Sequence, residues 1–458
     1  MPEPPESAPS DLTQLARSIF DHAIAKCSID QAFSRTLRIT AGAPGTHLVL
    51  NGEDVVALDR LTRVRIVAIG KAAAPMLTAL LSRLVLPPAC NLQGVLIAVE
   101  PPPSLPATIQ FFAGGHPTPD AASFEGARAA LSMLQSIADA SPDDTLCIFL
   151  ISGGASAMME LPLDPSISLD DTIAFHQALV HCGASIIEIN CVRKHFSAVK
   201  GGRLALAAGD TRKISLLVSD VPPAQLDALA SGPTLPDPTT VAQCLEIIAR
   251  YKLLERFPAS VRAYFASPQL AESPKPRELV SPSWKLLDSD ELAEAARSHA
   301  AQLGFHTIID NTCDDWAYDA AANYLLDRLR QLRREHARVC LISTGEVTVQ
   351  IASSHAPGSH THVGGRNQHL ALYLATKLQP TNAPIAVLSA GSDGIDGNSP
   401  AAGAVVDHHT LNQPTRREAA QQALEAFDSS TWLNNVGATI VTGPTGQNLR
   451  DLRILLAD

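Results

Sequence analysis

The chain has 458 residues, of which 46% are hydrophobic and 18% charged, with a formal net charge of −11. That length exceeds one ordinary core, so two domains are expected. The acidic balance and an aromatic content of only 4% leave no basic stripe or stacking platform for nucleic acid, and no apolar run reaches the roughly 18 residues of a membrane span.

The first ten residues, MPEPPESAPS, are acidic and Pro-rich. They read as a disordered tail of residues 1–10 and carry no mark of a targeting signal. Eight scattered cysteines form no CxxC pair, so they read as buried thiols, and a cytoplasmic location is expected. A first helix is expected over about Leu12 to Cys27. Strand Val64 to Ile69 then ends at Gly70 and passes into helix Lys71 to Leu84. Apolar runs at Gly94 to Val99, Thr108 to Phe112 and Leu146 to Ile151, with a helix over Phe124 to Ala138, continue an alternation. That pattern argues for an α/β fold with a mostly parallel sheet covered on both faces.

Ser168 and Asp171 form a capping-box-like start for helix Leu169 to His181. Arg193, Ser197 and Lys200, at i, i+4 and i+7, are expected on one stripe of a basic helix, with Val192, Phe196 and Val199 on the inward stripe. Six Lys or Arg lie between Arg193 and Lys213 against one acid, Asp210. This local reversal of sign suits a small anionic ligand, or else a solvated helix face. Strand Ile214 to Val218 and helix Val241 to Leu254 complete an N-terminal domain of residues 11–267. Residues 268–282, with four prolines, read as an exposed linker.

The C-terminal domain, residues 283–458, is expected to repeat the alternation: helix Glu291 to Leu303, strand Thr307 to Ile309, helix Asp319 to Arg334, and strand Arg338 to Ser343. TGEV turns that strand into another, Val347 to Ala352. A His- and Ser-rich loop delivers Arg366 to a helix running to Leu378. Strand Ile385 to Ser389 ends in AGSDGIDG, and strands Thr439 to Thr442 and Leu452 to Leu456 bracket GPTGQN.

In an open α/β sheet, ligands collect beyond the carboxyl ends of strands, so residues that follow strands directly are the candidates. Ser152, Gly153, Gly154 and Ser156 can offer backbone N–H groups and hydroxyls to a phosphate or carboxylate, although such glycine-rich turns also occur as plain turns. Lys71 opens a helix where the dipole disfavours a cation, which suits a lysine awaiting an anion or one facing solvent. Asp220 follows a strand in SDVP. Asp393 and Asp396 are spaced to hold Mg²⁺ with waters completing the shell, or to serve as Asp-Gly turns. Glu346 stands between two strands and needs solvent or a cation. His355, His360, His362 and His369 fit no zinc spacing and read as loop and helix-surface residues. Gly364-Gly365-Arg366 permits close backbone approach and a two-pronged guanidinium contact.

The run of motifs VAIGKAAAPM, GGHPTPD, LISGGASAMMELP, NCVRKHFSAVKGGRLA, SDVPPAQLDALASGPTLPDPTT, STGEVTVQI, GGRNQHLAL, SDGIDGNSPAAGAVVD and VTGPTGQNLRDLRILL resembles the glycerate 2-kinase family of the MOFRL type, whose members were often labelled hydroxypyruvate reductases. The resemblance implies a large Rossmann-like N-terminal domain and a smaller C-terminal α/β domain. It also implies ATP-dependent phosphorylation of D-glycerate at its 2-hydroxyl, in the cleft between them. Matching positions make Lys71 and Arg366 the essential pair. Asn190, Arg193, Lys194, Lys200 and Asn367 join the substrate- and phosphate-binding set, and Mg²⁺ is held through Asp393 with Asp396, or through Glu346. Asp220 is the choice for general base. Ala155 and Thr344 stand where the family has glycines, which puts pocket shape there in question. Small-molecule substrate and nucleotide are the expected partners, with a homodimer as the assembly considered.

Two rivals remain: an NAD(P)H-dependent hydroxypyruvate reductase and a non-catalytic binding protein for hydroxy acids. The reductase needs a dinucleotide turn, and AIGKAA lacks GxGxxG.

Overall fold

A computed structural model of the chain describes residues 11–42, 45–351, 363–379 and 384–458. The expected tail, most of the His- and Ser-rich loop with His355, His360 and His362, and the end of the expected strand Val347 to Ala352 lie outside the described residues. The chain divides into two compact units, Ile29–Leu286 and Met1–Ser28 with Leu287–Asp458.

The first unit starts with a small antiparallel meander that the hydrophobic pattern did not announce: β1 (Leu37–Gly42), β2 (Gly45–Leu50) and β3 (Glu53–Ala57). Its main sheet comprises β4 (Arg63–Ile69), β5 (Asn91–Ala98), β6 (Ile109–Ala113), β7 (Thr145–Ser152), β8 (Arg212–Val218) and β9 (Ser283–Leu287), in the order β6-β5-β4-β7-β8-β9. The pairs β4/β5, β5/β6, β4/β7 and β7/β8 are parallel. This is the doubly wound Rossmann order, and it reverses between β4 and β7. Strands β4, β7 and β8 are buried along almost their whole length, as expected where helices cover both faces of a parallel sheet.

The second unit holds β10 (His306–Ile309), β11 (Val339–Gly345), β12 (Ile385–Gly391), β13 (Gly403–Asp407), β14 (Thr439–Ile440) and β15 (Asp451–Ala457), ordered β10-β11-β15-β12-β13-β14. Only β10/β11 is parallel among its paired strands; β15 runs antiparallel to both β11 and β12. The expected repeat of a parallel alternation does not hold here. The last strand, buried at every position, inserts between β11 and β12 and brings its first residue beside their carboxyl ends.

Two boundaries differ from the sequence reading. The first helix, Asp11–Lys26, belongs with the second unit, because its apolar stripe Ala16, Ile19, Phe20 and Ala23 is fully buried there. His22 stacks on His299 at 4.2 Å, and Gln447 Nε2 donates to Ile24 O. Residues 268–282 are mostly exposed yet tied to the first unit: Ser273 is buried and donates to Asp237 (2.6 Å), Asp237 N donates to Pro274 O, and Leu279 packs in the core of the first unit. The stretch after Glu346 also forms no second strand; only Thr348 bridges, to Ala317.

Candidate active site

At the switch point, Gly70 turns β4 towards helix Ala73–Leu81 with φ +112°, and a Cβ there would sit 2.5 Å from Ser152 O. Glycine is required by that approach. Lys71 lies in the turn before the helix, its N–H donating to Gly153 O (2.9 Å) and its side chain exposed. Ser152 is the expected ligand hydroxyl that the structure withdraws. Its Oγ accepts from Ala72 N (3.0 Å) and donates to Ile69 O (3.3 Å), stitching β7 to the Gly70 turn, and it is buried.

Gly153 has the Asp220 carboxylate packed against it, so that a Cβ would lie 1.9 Å from Oδ2. Gly154, at φ +82°, faces the side chains of Lys71 and His116. Lys71, Gly153, Gly154 and Asp220 are thus brought together, and His116 of GGHPTPD, to which no role was assigned, joins them from the end of β6. Burial and the neighbouring Lys71 both lower the pKa of His116, favouring the neutral ring. A hydrogen-bonded chain beside them links Ser156 Oγ to Ser231 Oγ (2.9 Å) and Ser231 Oγ to Asn190 Oδ1 (2.9 Å). Ala230 and Ser231 both adopt left-handed backbone, at φ +54° and +58°, a conformation that non-glycine residues hold at some cost.

The basic stretch is organised differently from the expected cationic stripe. Its helix is Ile186–Phe196, opened by a capping box of Ser185 and Glu188, and Ser197 is already extended. The helix stops because Ser197 bridges Pro162, with Leu163 N donating to Phe196 O and Ala198 N to Leu161 O. Lys200 therefore leaves the helix and meets Glu160 at 2.5 Å in the interior, where His176 Nε2 also contacts Glu160 at 2.8 Å. Burial alone would raise the pKa of Glu160, but Lys200 and His176 hold it well below the carboxylate range. Burial in turn lowers the pKa of Lys200 and of His176, with Glu160 opposing both.

Lys194 is likewise committed, 3.0 Å from Asp227 and 3.4 Å from the buried Asp237. Neither lysine is placed to meet a ligand. Arg193 is the exception, because its buried Nε has no hydrogen-bond partner. Buried donors are rarely left unsatisfied, and the charge that Arg193 meets inside the protein is that of Glu160.

In the second unit, Gly365 caps helix Arg366–Lys377, and a Cβ on it would clash with Asp396 Oδ1 at 2.2 Å. Asp396 accepts from Asn367 N (3.0 Å) and Gln368 N (2.8 Å), satisfying the open N–H groups of the helix. It is an anchor for that helix. Burial raises its pKa to about 6 against those hydrogen bonds. Asn367 is buried, donating weakly to Asp396 and accepting from Ser389 Oγ (2.6 Å). His369 is buried as well, not on the helix surface, and burial lowers its pKa to about 4.

Arg366 donates from Nε to Asp451 Oδ2 (2.5 Å) and from Nη2 to Asp451 Oδ1 (3.0 Å), and lies 2.9 Å from Glu346 Oε1. Burial would lower its pKa, but Asp451 and Glu346 raise it. Arg450 makes a second two-pronged pair with Asp314, at 2.5 and 2.8 Å, and Asp314 accepts from Glu346 N. Asp451, Arg450 and Asp314 were not singled out in the sequence; only Arg450 and Asp451 had a hint, their place just after the GQN turn. Asp393, half-buried after β12, accepts from Ile395 N. No cluster of three or more His, Cys, Asp or Glu side chains is arranged for a metal among the described residues. Ala155 and Thr344, in place of glycines, adopt no positive φ, so neither side chain strains the backbone.

A domain of unknown function, DUF4147, matches residues 15–266, and the MOFRL family matches residues 339–451. A D-glycerate 2-kinase of Thermotoga maritima is 34% identical over 75% of this chain and 79% of its own length. An Agrobacterium vitis protein provisionally named hydroxypyruvate reductase is 35% identical over 86% and 87% of the two chains. The crystal structure of a glycerate kinase from Thermotoga maritima superposes with a TM-score of 0.79 at 30% identity, covering 98% of this chain and all of that one. No helix among the described residues is long and apolar enough to cross a membrane.

Proposed function

The chain belongs to the glycerate 2-kinase family of the MOFRL type, and from that premise we propose that it transfers the γ-phosphoryl group of ATP to the 2-hydroxyl of D-glycerate. One observation carries the reading. Lys71 stands exposed at the switch point of a Rossmann-order sheet, beside Gly153 and Gly154, in a turn that lacks the dinucleotide glycines.

Phosphoryl transfer asks a protein mainly to align the acceptor hydroxyl and to spread positive charge over the transferring group. Lys71 in the first unit is suited to supply such charge, and Arg366 is the guanidinium that the second unit offers for the same task. Arg193, with its unpartnered Nε, receives the glycerate carboxylate. The backbone of Gly153 and Gly154 faces the phosphates, and Asp220 accepts the hydroxyl proton. Mg²⁺ suits a site with few protein carboxylates, because phosphate oxygens and water complete its octahedron. Asp393 would hold it, and the ion would neutralise phosphate charge.

The reductase reading loses ground on the same turn. Gly70 is the only glycine in AIGKAA, and Lys71 stands where a pyrophosphate would need close backbone. The test is incubation with D-glycerate, ATP and Mg²⁺, coupled to enolase without phosphoglycerate mutase. A signal reports 2-phosphoglycerate. ADP release without signal moves the phosphate to the 3-hydroxyl, and NADH oxidation with hydroxypyruvate would replace the kinase altogether.

A further inference from the structure

The strongest unexplained feature in the second unit is a buried acid spent on an arginine that the proposed chemistry needs. Asp451 is 1% exposed and is the first residue of β15, in register with Gly345 of β11 on one side and Gly391 of β12 on the other. Its backbone is therefore held on both sides by the centre of the sheet. The residue before it, Arg450, takes left-handed backbone at φ +69° and turns its own guanidinium to Asp314. Two adjacent residues are thus aimed into two separate pairs.

A guanidinium carries five N–H donors. Arg366 commits the Nε hydrogen and one Nη2 hydrogen to Asp451, and Nη2 also lies 2.9 Å from Glu346 Oε1 as an ion pair. Among the described residues the Nη1 edge donates to no partner. Glu346 is half-exposed on a loop, whereas Asp451 sits on a rigid strand, so Asp451 fixes the guanidinium plane. We propose that Asp451 is a positioning residue that orients Arg366 so that its Nη1 edge faces the transferring phosphoryl group. The proposal rests on the kinase reading and on Arg366 acting in it, and goes beyond both by assigning the residue that sets its direction.

The experiment is a double-mutant cycle read in kcat, KM and thermal unfolding, using Asp451→Asn, Arg366→Lys and both together in the full chain. Asparagine keeps the shape but replaces one accepting oxygen with a donor that opposes the guanidinium. Asp451→Asn is expected to lower kcat on the order of 10- to 100-fold, the usual consequence of misplacing a catalytic group by about 1 Å, with KM for glycerate changed less than about threefold. In the Arg366→Lys background, where no fork remains to be aimed, the same substitution should lower kcat by less than about threefold further, although stability losses still accumulate. Asp451→Glu, which keeps the charge and moves it by one methylene, should also lower kcat and guards against a poorly folded asparagine variant. Equal fold-losses from Asp451→Asn in both backgrounds, or wild-type kcat in both single Asp451 variants, would overturn the proposal. Wild-type kcat in Arg366→Lys would overturn it together with the role of Arg366. A wild-type enzyme inactive on glycerate would instead sink the kinase reading.

Discussion

Lys200→Met tests whether the basic stretch binds ligand or holds the fold. Lys200 and Glu160 are 1% and 0% exposed, 2.5 Å apart, and the carboxylate keeps His176, the Leu161 N–H and the Arg193 charge once the lysine is gone. Removing one partner of a buried ion pair typically costs about 3–5 kcal/mol. Part is recovered if His176 takes up a proton, so about 3 kcal/mol is the expected loss, or roughly 5–10 °C in Tm for a unit of this size. Glu160→Gln combined with Lys200→Met removes both charges and should regain most of it, since a neutral pair leaves no buried ion uncompensated. Glu160 has its folded pKa depressed, so its contribution is present above the unfolded value of about 4.3 and is lost as pH falls through the folded one. The gap between wild type and Lys200→Met should accordingly narrow in acid. The assays are urea and thermal unfolding from pH 3 to 8, with KM for glycerate and ATP measured well below the melt. A Lys200→Met protein of wild-type stability with KM raised tenfold would refute the reasoning and return Lys200 to the ligand.

Why the sequence misled at Lys200 has a physical cause. Periodicity of 3.6 places Arg193, Ser197 and Lys200 on one stripe only if the helix continues, and nothing local stops it at Phe196. The stop is a tertiary pairing with residues 161–163, invisible to spacing. Its neutralising partner, Glu160, lies 40 residues upstream of Lys200 within LISGGASAMMELP, where nothing in the spacing pairs it with Lys200. By contrast, the strand-turn-helix at Gly70, the SGGAS turn and Asp220 were legible, because a parallel sheet exposes its carboxyl-end loops directly after apolar runs. In the second unit every described strand but β13 was found, and their directions were not, since an antiparallel insertion of β15 leaves no trace in local pattern. Asp451, buried one residue before the expected strand Leu452 to Leu456, was hidden for the same reason. The helix-anchoring role of Asp396 was not legible, because Asp-Gly spacing looks alike whether the carboxylate caps a helix or holds a cation.

Lys71→Met should lower kcat roughly 10²- to 10⁴-fold while Tm stays within about 1 °C, because the side chain is exposed and leaves no buried acid behind; near-normal turnover would remove it from the chemistry. Asp396 gives a prediction of opposite pH sign to Glu160. Its folded pKa is raised from 3.8 to about 6 by burial, so the folded state holds a proton that the unfolded chain releases between those values. Ionisation of Asp396 therefore costs stability as pH rises from about 4 to 7, by up to about 3 kcal/mol at 1.36 kcal/mol per unit. Asp396→Asn escapes that cost but forfeits one of two backbone hydrogen bonds, to Asn367 N or Gln368 N, at every pH. The variant should thus start less stable than wild type at pH 4 and gain on it steadily towards pH 7, as read by urea unfolding at unit pH steps. A stability difference that stays constant over that range would mean that Asp396 is already ionised at pH 4, held so by the helix N–H groups and Arg366 rather than pushed up by burial.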